Sequence, residues 1–71
     1  MSVKMLEVES SMIKAIGYDV ATKDVIVEFT GGSKYAYNDV PVEEYDKLLN
    51  ASSIGKHLNT DFKTTYSYNK L

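Results

Sequence analysis

The sequence predicts an α+β fold in which an antiparallel β-meander is followed by one or two short helices, and three observations carry that reading. Val25-Ile26-Val27-Glu28-Phe29 alternates along a strand, and four of its five side chains are β-branched or aromatic, which suits a pleated, half-buried surface. Gly31-Gly32-Ser33 follows closely, and adjacent glycines accept the positive φ of a tight hairpin at no steric cost. Beyond Val40-Pro41 the apolar positions change from a period of 2 to a period of 3.6.

Taken in chain order, the first element is the least obvious. Met12, Ala15, Ile16 and Tyr18 lie at helical spacing, but Gly17 and the polar stretch 19–24 mark a strand entering a turn, so strand one is expected over 11–19. Strand two is expected over 24–30 and strand three over 34–38. Asn38-Asp39-Val40-Pro41 stops the sheet. Proline suits the first helical position, where no amide partner is needed, and Glu43 and Glu44 fall in the first turn, where the helix dipole favours negative charge. Val42, Tyr45, Leu48 and Leu49 share one face, giving an amphipathic helix from about 41 to 50.

Ser53 is placed to cap a second short helix through Ile54 and Leu58. Leu58, Phe62 and Tyr66, spaced by four, would extend that helix, and 62–68 would also serve as a returning strand; the expectation is a short helix followed by an extended tail. Ile16, Val27, Phe29, Tyr45, Leu48 and Leu58 are the expected core.

The 71 residues make one domain, 1–71, and their 44% apolar and 25% charged content is that of an ordinary globular chain. A chain this short buries only about 60% of its unfolded surface, which leaves little for a deep pocket. Cysteine is absent, so no disulfide or thiolate zinc site is available. No apolar run approaches the roughly 20 residues that span a bilayer, and Met1 to Glu7 places acid where a leader needs an apolar stretch. A cytoplasmic protein without membrane contact is expected.

Charge is unevenly spread: residues 1–51 hold five lysines against nine acids, a net of −4, while 52–71 hold three lysines against one acid, a net of +2. An anion-binding surface should therefore involve the C-terminal quarter. Arginine is absent, and with it the planar fork that contacts phosphate or guanine in bidentate fashion, which argues against sequence-specific DNA reading.

Ser10-Ser11, Ile16-Gly17-Tyr18-Asp19, Phe29, Gly32, Tyr35-Ala36-Tyr37, Val40-Pro41, Tyr45, Leu48, Ala51, Ser53-Ile54-Gly55 and Asn59, in this order and spacing, resemble the KTSC domain. That family is named from its occurrence at the C-terminus of some lysyl-tRNA synthetases and is also found as free-standing small bacterial and phage proteins. The resemblance covers about residues 8 to 68. It implies a strongly bent sheet similar to an Sm-like or SH3-like half-barrel closed by the helical segment, and it brings a suggested RNA-binding role. The chain departs from the pattern at Ile54, where a basic residue is common, and at His57-Leu58, where two aromatics are common. Those departures remove one cation and one or two stacking rings.

Tyr35 and Tyr37 are two apart on a strand, so both rings leave the same face and could form a platform for bases, stacking being worth roughly 1 to 3 kcal/mol per base. The spacing recurs in Tyr66-Ser67-Tyr68. The competing reading packs these rings against the helix face of Val42, Tyr45 and Leu49, with the hydroxyls hydrogen-bonded at the rim. Lys34, Lys56, Lys63 and Lys70 supply cations, and His57 lies beside Lys56.

Other constellations are weaker. A lone His57 with Ser53 at i−4 is far more often surface filling and capping than a catalytic dyad, and one histidine with scattered carboxylates gives no metal spacing. Asp39, Glu43, Glu44 and Asp46 read as solvated dipole partners. Gly31-Gly32-Ser33 lacks the lysine-serine pair and following helix of a phosphate loop. The sequence thus describes a non-enzymatic domain without cofactor. Two functions remain: weak, sequence-tolerant binding of single-stranded RNA, or a module that pairs with a protein partner or with itself as a homo-oligomer.

Overall fold

A computed structural model describes residues 4–8 and 10–71. Five strands form one antiparallel sheet in the order β1-β2-β3-β4-β5: β1 Met5–Glu7, β2 Ile13–Asp19, β3 Asp24–Phe29, β4 Lys34–Tyr37 and β5 Tyr68–Lys70. Helix α1, Val42–Leu49, follows β4. A helical run then comprises α2 (Ile54–His57), a π-helical turn (Leu58–Phe62) and α3 (Lys63–Thr65).

The expected meander is present, and its edges are set by local chemistry. The Ser10 hydroxyl accepts hydrogen bonds from the Met12 and Ile13 amides at 3.2 and 3.3 Å, so the chain turns there and β2 starts at Ile13, two residues after the expected position. Between Ile13 and Ala15 the register against β3 slips by one, with Lys14 as the extra residue. Such a bulge bends and twists the sheet. The β2–β3 turn is held by Asp19, whose carboxylate accepts from the Ala21 amide at 3.0 Å. At the next turn Gly32 takes φ +98°, and the Phe29 amide reaches the Ser33 carbonyl at 2.8 Å.

Pro41 stands one position earlier than expected, as the N-cap of α1, and its carbonyl accepts from the Glu44 and Tyr45 amides. Leu48 is fully buried and Tyr45 and Leu49 are half-buried, but Val42, expected on the same apolar face, is 48% exposed. The Ser53 hydroxyl caps α2 by accepting from the Lys56 amide at 3.4 Å.

Two expectations are corrected. The tail is not simply extended: helix persists to Thr65 because Leu58 and Phe62 bury completely against the sheet, and the chain then returns as β5, paired with β4. Strand β1 was not foreseen, since three residues carry no periodic signal and only pairing with β2 defines it. Ile16, Val27, Leu48 and Leu58 are buried as expected. Phe29 and Tyr45 are only half-buried, and Ile13, Val25, Tyr37, Val40 and Phe62 join the core instead. Among the described residues no helix is long and apolar enough to cross a membrane.

Candidate binding cleft

Register decides which side chains meet. Val25 faces Tyr37 and Val27 faces Tyr35 across β3 and β4, while Tyr37 faces Tyr68 and Tyr35 faces Lys70 across β4 and β5. Alternation therefore sends Tyr35, Tyr37, Tyr68 and Lys70 to the face that carries Val25 and Val27. On that face the rings form a ladder running from rim to core. Phe29 and Tyr35 meet edge to face at 5.6 Å, Tyr35 and Tyr68 lie at 5.9 Å, Tyr68 and Tyr37 at 5.3 Å, and Tyr37 meets Phe62 at 5.9 Å.

The ladder borders an open cleft of about 320 Å³. Phe29, Tyr35, Tyr37 and Tyr68 form one side, and Ser33, Asn59 and Lys63 supply its polar groups. Asn59 and Lys63 are one turn apart on the helical run, so both reach the same side. Burial, reinforced by the neighbouring Tyr68 and Tyr35 hydroxyls, holds the Tyr37 phenol above its ordinary pKa.

Of the residues expected to bind, Tyr35, Tyr37, Tyr68 and Lys63 come together here, and register puts Lys70 on the same face. Tyr37 is only 4% exposed, so its ring is a wall of the core and not a platform; the packing alternative holds for it. The rings it meets are Phe62 and Tyr68, and it shares the buried core with Leu48 of α1. Tyr68 is 40% exposed and Tyr35 half-buried. Tyr66 lies outside β5 and turns to Phe62, with ring centroids 5.0 Å apart.

Lys34 pairs in register with Glu28 on the opposite face of the sheet. Lys56 and His57 line a separate, shallower hollow of about 190 Å³ with Ser53 and Thr60. There His57 Nδ1 lies 3.1 Å from Asp61 Oδ2, and its Nε2 is buried without a hydrogen-bond partner among the described residues. Ser53 is engaged as a cap and does not pair with the imidazole. No group of three or more His, Cys, Asp or Glu side chains among the described residues is placed to hold a metal ion.

Sequence reasoning missed Ser33 and Asn59 and took Phe29 for core. The i, i+4 spacing of Asn59 and Lys63 was the available signal, but it points nowhere until the helix is known to continue past Leu58.

Comparison with known proteins places this geometry among relatives. The KTSC domain family matches residues 9–66. A protein of Tsukamurella paurometabola is 49% identical over 55 residues, covering 78% of this chain and 82% of that one. A lysine–tRNA ligase of Nostoc punctiforme is 36% identical over 67 residues, which is 94% of this chain but 12% of the ligase. The crystal structure of a KTSC domain protein from Yersinia pestis superposes with a TM-score of 0.89 at 27% identity, covering 99% of both chains.

Proposed function

The chain belongs to the KTSC domain family, and from that premise we propose that it is a non-catalytic cytoplasmic domain that binds single-stranded RNA weakly in the cleft between β5 and the helical run. The observation that carries this reading is the cleft itself. Half-open tyrosine rings from β4 and β5 stand beside Lys63, on the face that also carries Lys70. Aromatic faces accept any base, and lysines follow the phosphates. The occurrence of a similar segment inside lysine–tRNA ligases, whose name records an RNA among their substrates, supports the same class of ligand.

So few cations neutralise few phosphates, so the affinity is micromolar or weaker and falls with salt along a shallow slope. The test is an NMR titration with short single-stranded RNA at low and moderate salt. Shifts should appear at Tyr35, Tyr68 and Lys63 and shrink as salt is added. No shifts at millimolar RNA and low salt would sink the proposal.

A second reading, self-association or pairing with a protein, is favoured by the free edge of β5. The Asn38 amide bonds the Ser67 carbonyl and the Leu71 amide bonds the Lys34 carbonyl, so the amides and carbonyls of Tyr68 and Lys70 face outward. Sedimentation at increasing concentration tests it, and a monomer throughout removes self-association.

A further inference from the structure

Building on that RNA reading, we infer that the cleft admits one unpaired nucleotide at a time and reads its base through Asn59, with adenine preferred. Its volume of about 320 Å³ lies at the bottom of the range of small-molecule sites, room for one ring system and not for a run of bases. Phe29, Tyr35 and Tyr68 offer ring surface, which attracts every base alike. Discrimination needs a donor and an acceptor held at fixed spacing, and the carboxamide of Asn59 carries both. Neither it nor the Ser33 hydroxyl makes a hydrogen bond within the described residues, and Lys63 makes no ion pair there.

The backbone under Asn59 supports the same conclusion. In an α-helix the Lys63 amide would bond the Asn59 carbonyl; here it reaches one residue further, to the Leu58 carbonyl, and the turn widens. Threonines brace the widened turn, the Thr60 hydroxyl donating to the Lys56 carbonyl and the Thr64 hydroxyl to the Thr60 carbonyl, each at 2.8 Å. Turns of this kind recur at functional positions, and the residue carried here is the one amide that lines the cleft. Adenine is the natural partner at its N7 edge, where it presents an adjacent donor (N6) and acceptor (N7) that the oxygen and nitrogen of the one asparagine carboxamide contact together, whereas guanine presents two acceptors there. It also offers the larger purine face to the tyrosines.

The experiment compares short single-stranded RNAs that are identical except for a central A, C, G or U, together with AMP alone, by NMR titration of the full chain. The central-A strand should bind about fivefold to tenfold tighter than the others, as expected for one amide-to-base contact. Asn59→Ala, on the exposed side of its helix, should keep the amide spectrum of a folded protein, retain weak RNA binding and lose the preference. Equal affinity for all four strands, or a preference that survives Asn59→Ala, overturns the base-reading role while RNA binding stands. AMP binding as tightly as the strands overturns the commitment to a nucleotide within a chain. Failure of every strand to bind takes down the underlying RNA reading instead.

Discussion

The molecule has two tyrosine clusters on different parts of the sheet, and it finishes them differently. At one, Tyr18 of β2 and Tyr45 of α1 stack at 5.1 Å with planes 22° apart, and the Tyr18 hydroxyl donates to the Val40 carbonyl at 2.6 Å. The ring face and the hydroxyl are both taken by the protein itself. Partial burial and the nearby carboxylates of Glu43 and Asp24 hold the Tyr18 phenol above its ordinary pKa, so the surroundings are negative. At the other, Tyr35 and Tyr68 lie tilted by 59° with open ring surface, beside Lys63. Identical side chains are thus structural in one place and available in another. What decides is whether the ring face and hydroxyl are already occupied, and which sign of charge stands beside them.

The sharpest way to break the comparison is to remove the floor of the open cluster. Phe62 is fully buried and touches Tyr37 and Tyr66, so Phe62→Ala should cost about 3 to 5 kcal/mol. That is a large part of the roughly 5 to 15 kcal/mol a small domain holds. A melting temperature close to wild type would show that the ladder does not reach the core.

Next in size is the contrast in binding. Tyr68→Ala should weaken RNA binding by about 1 to 3 kcal/mol in a protein that still folds. Tyr45→Ala, in the closed cluster, should lower stability and leave binding unchanged. Equal effects of the two substitutions on the titration would erase the distinction between the clusters.

Tyr18→Phe isolates the closed cluster's hydroxyl. It removes the bond to Val40 and should cost about 0.5 to 1.5 kcal/mol, read by denaturant unfolding, with no change in RNA affinity.

Alkaline pH offers a smaller probe of the open cluster's buried end. The Tyr37 phenol holds its proton more tightly folded than unfolded, where its pKa is about 10. Its contribution is therefore fully present below that value and declines as pH rises above it, when the unfolded chain loses the proton first. Tyr45 and Tyr66, also raised by burial, act in the same direction. Tyr37→Phe should make the fall in melting temperature above pH 10 shallower; an unaltered profile would assign that fall to other groups.

The smallest effect concerns the support behind the helical run. A Cβ on Gly55 would stand 2.9 Å from the Met12 sulfur and 3.6 Å from the Ser10 hydroxyl, so two regions marked in the sequence far apart are in contact. Because Met12 is 43% exposed and flexible, its side chain can yield. Gly55→Ala also gains up to about 1 kcal/mol of helix propensity, which offsets the displacement. Calorimetry should find a net change below about 1 kcal/mol.

The residues themselves determined the meander, its two hairpin turns and the helix after Pro41, because alternation, positive-φ turns and helix starts are written in neighbours a few positions apart. The gathering of charge into the last quarter and the pairing of tyrosines were legible for the same reason. Which tyrosine of a pair would be open was not. Tyr37 and Tyr35 are equivalent by spacing, and only the arrival of Phe62 from the helical run covers the first and leaves the second at the rim. Likewise β1 and β5 are three-residue strands without a pattern of their own, defined by partners 8 to 12 and 31 to 35 positions away. Asn59 joined the cleft because the helix continued past Leu58 and widened beneath it, a choice made by the burial of Leu58 and Phe62 against the sheet. Local periodicity fixes elements; long-range packing fixes which of their side chains remain free to bind.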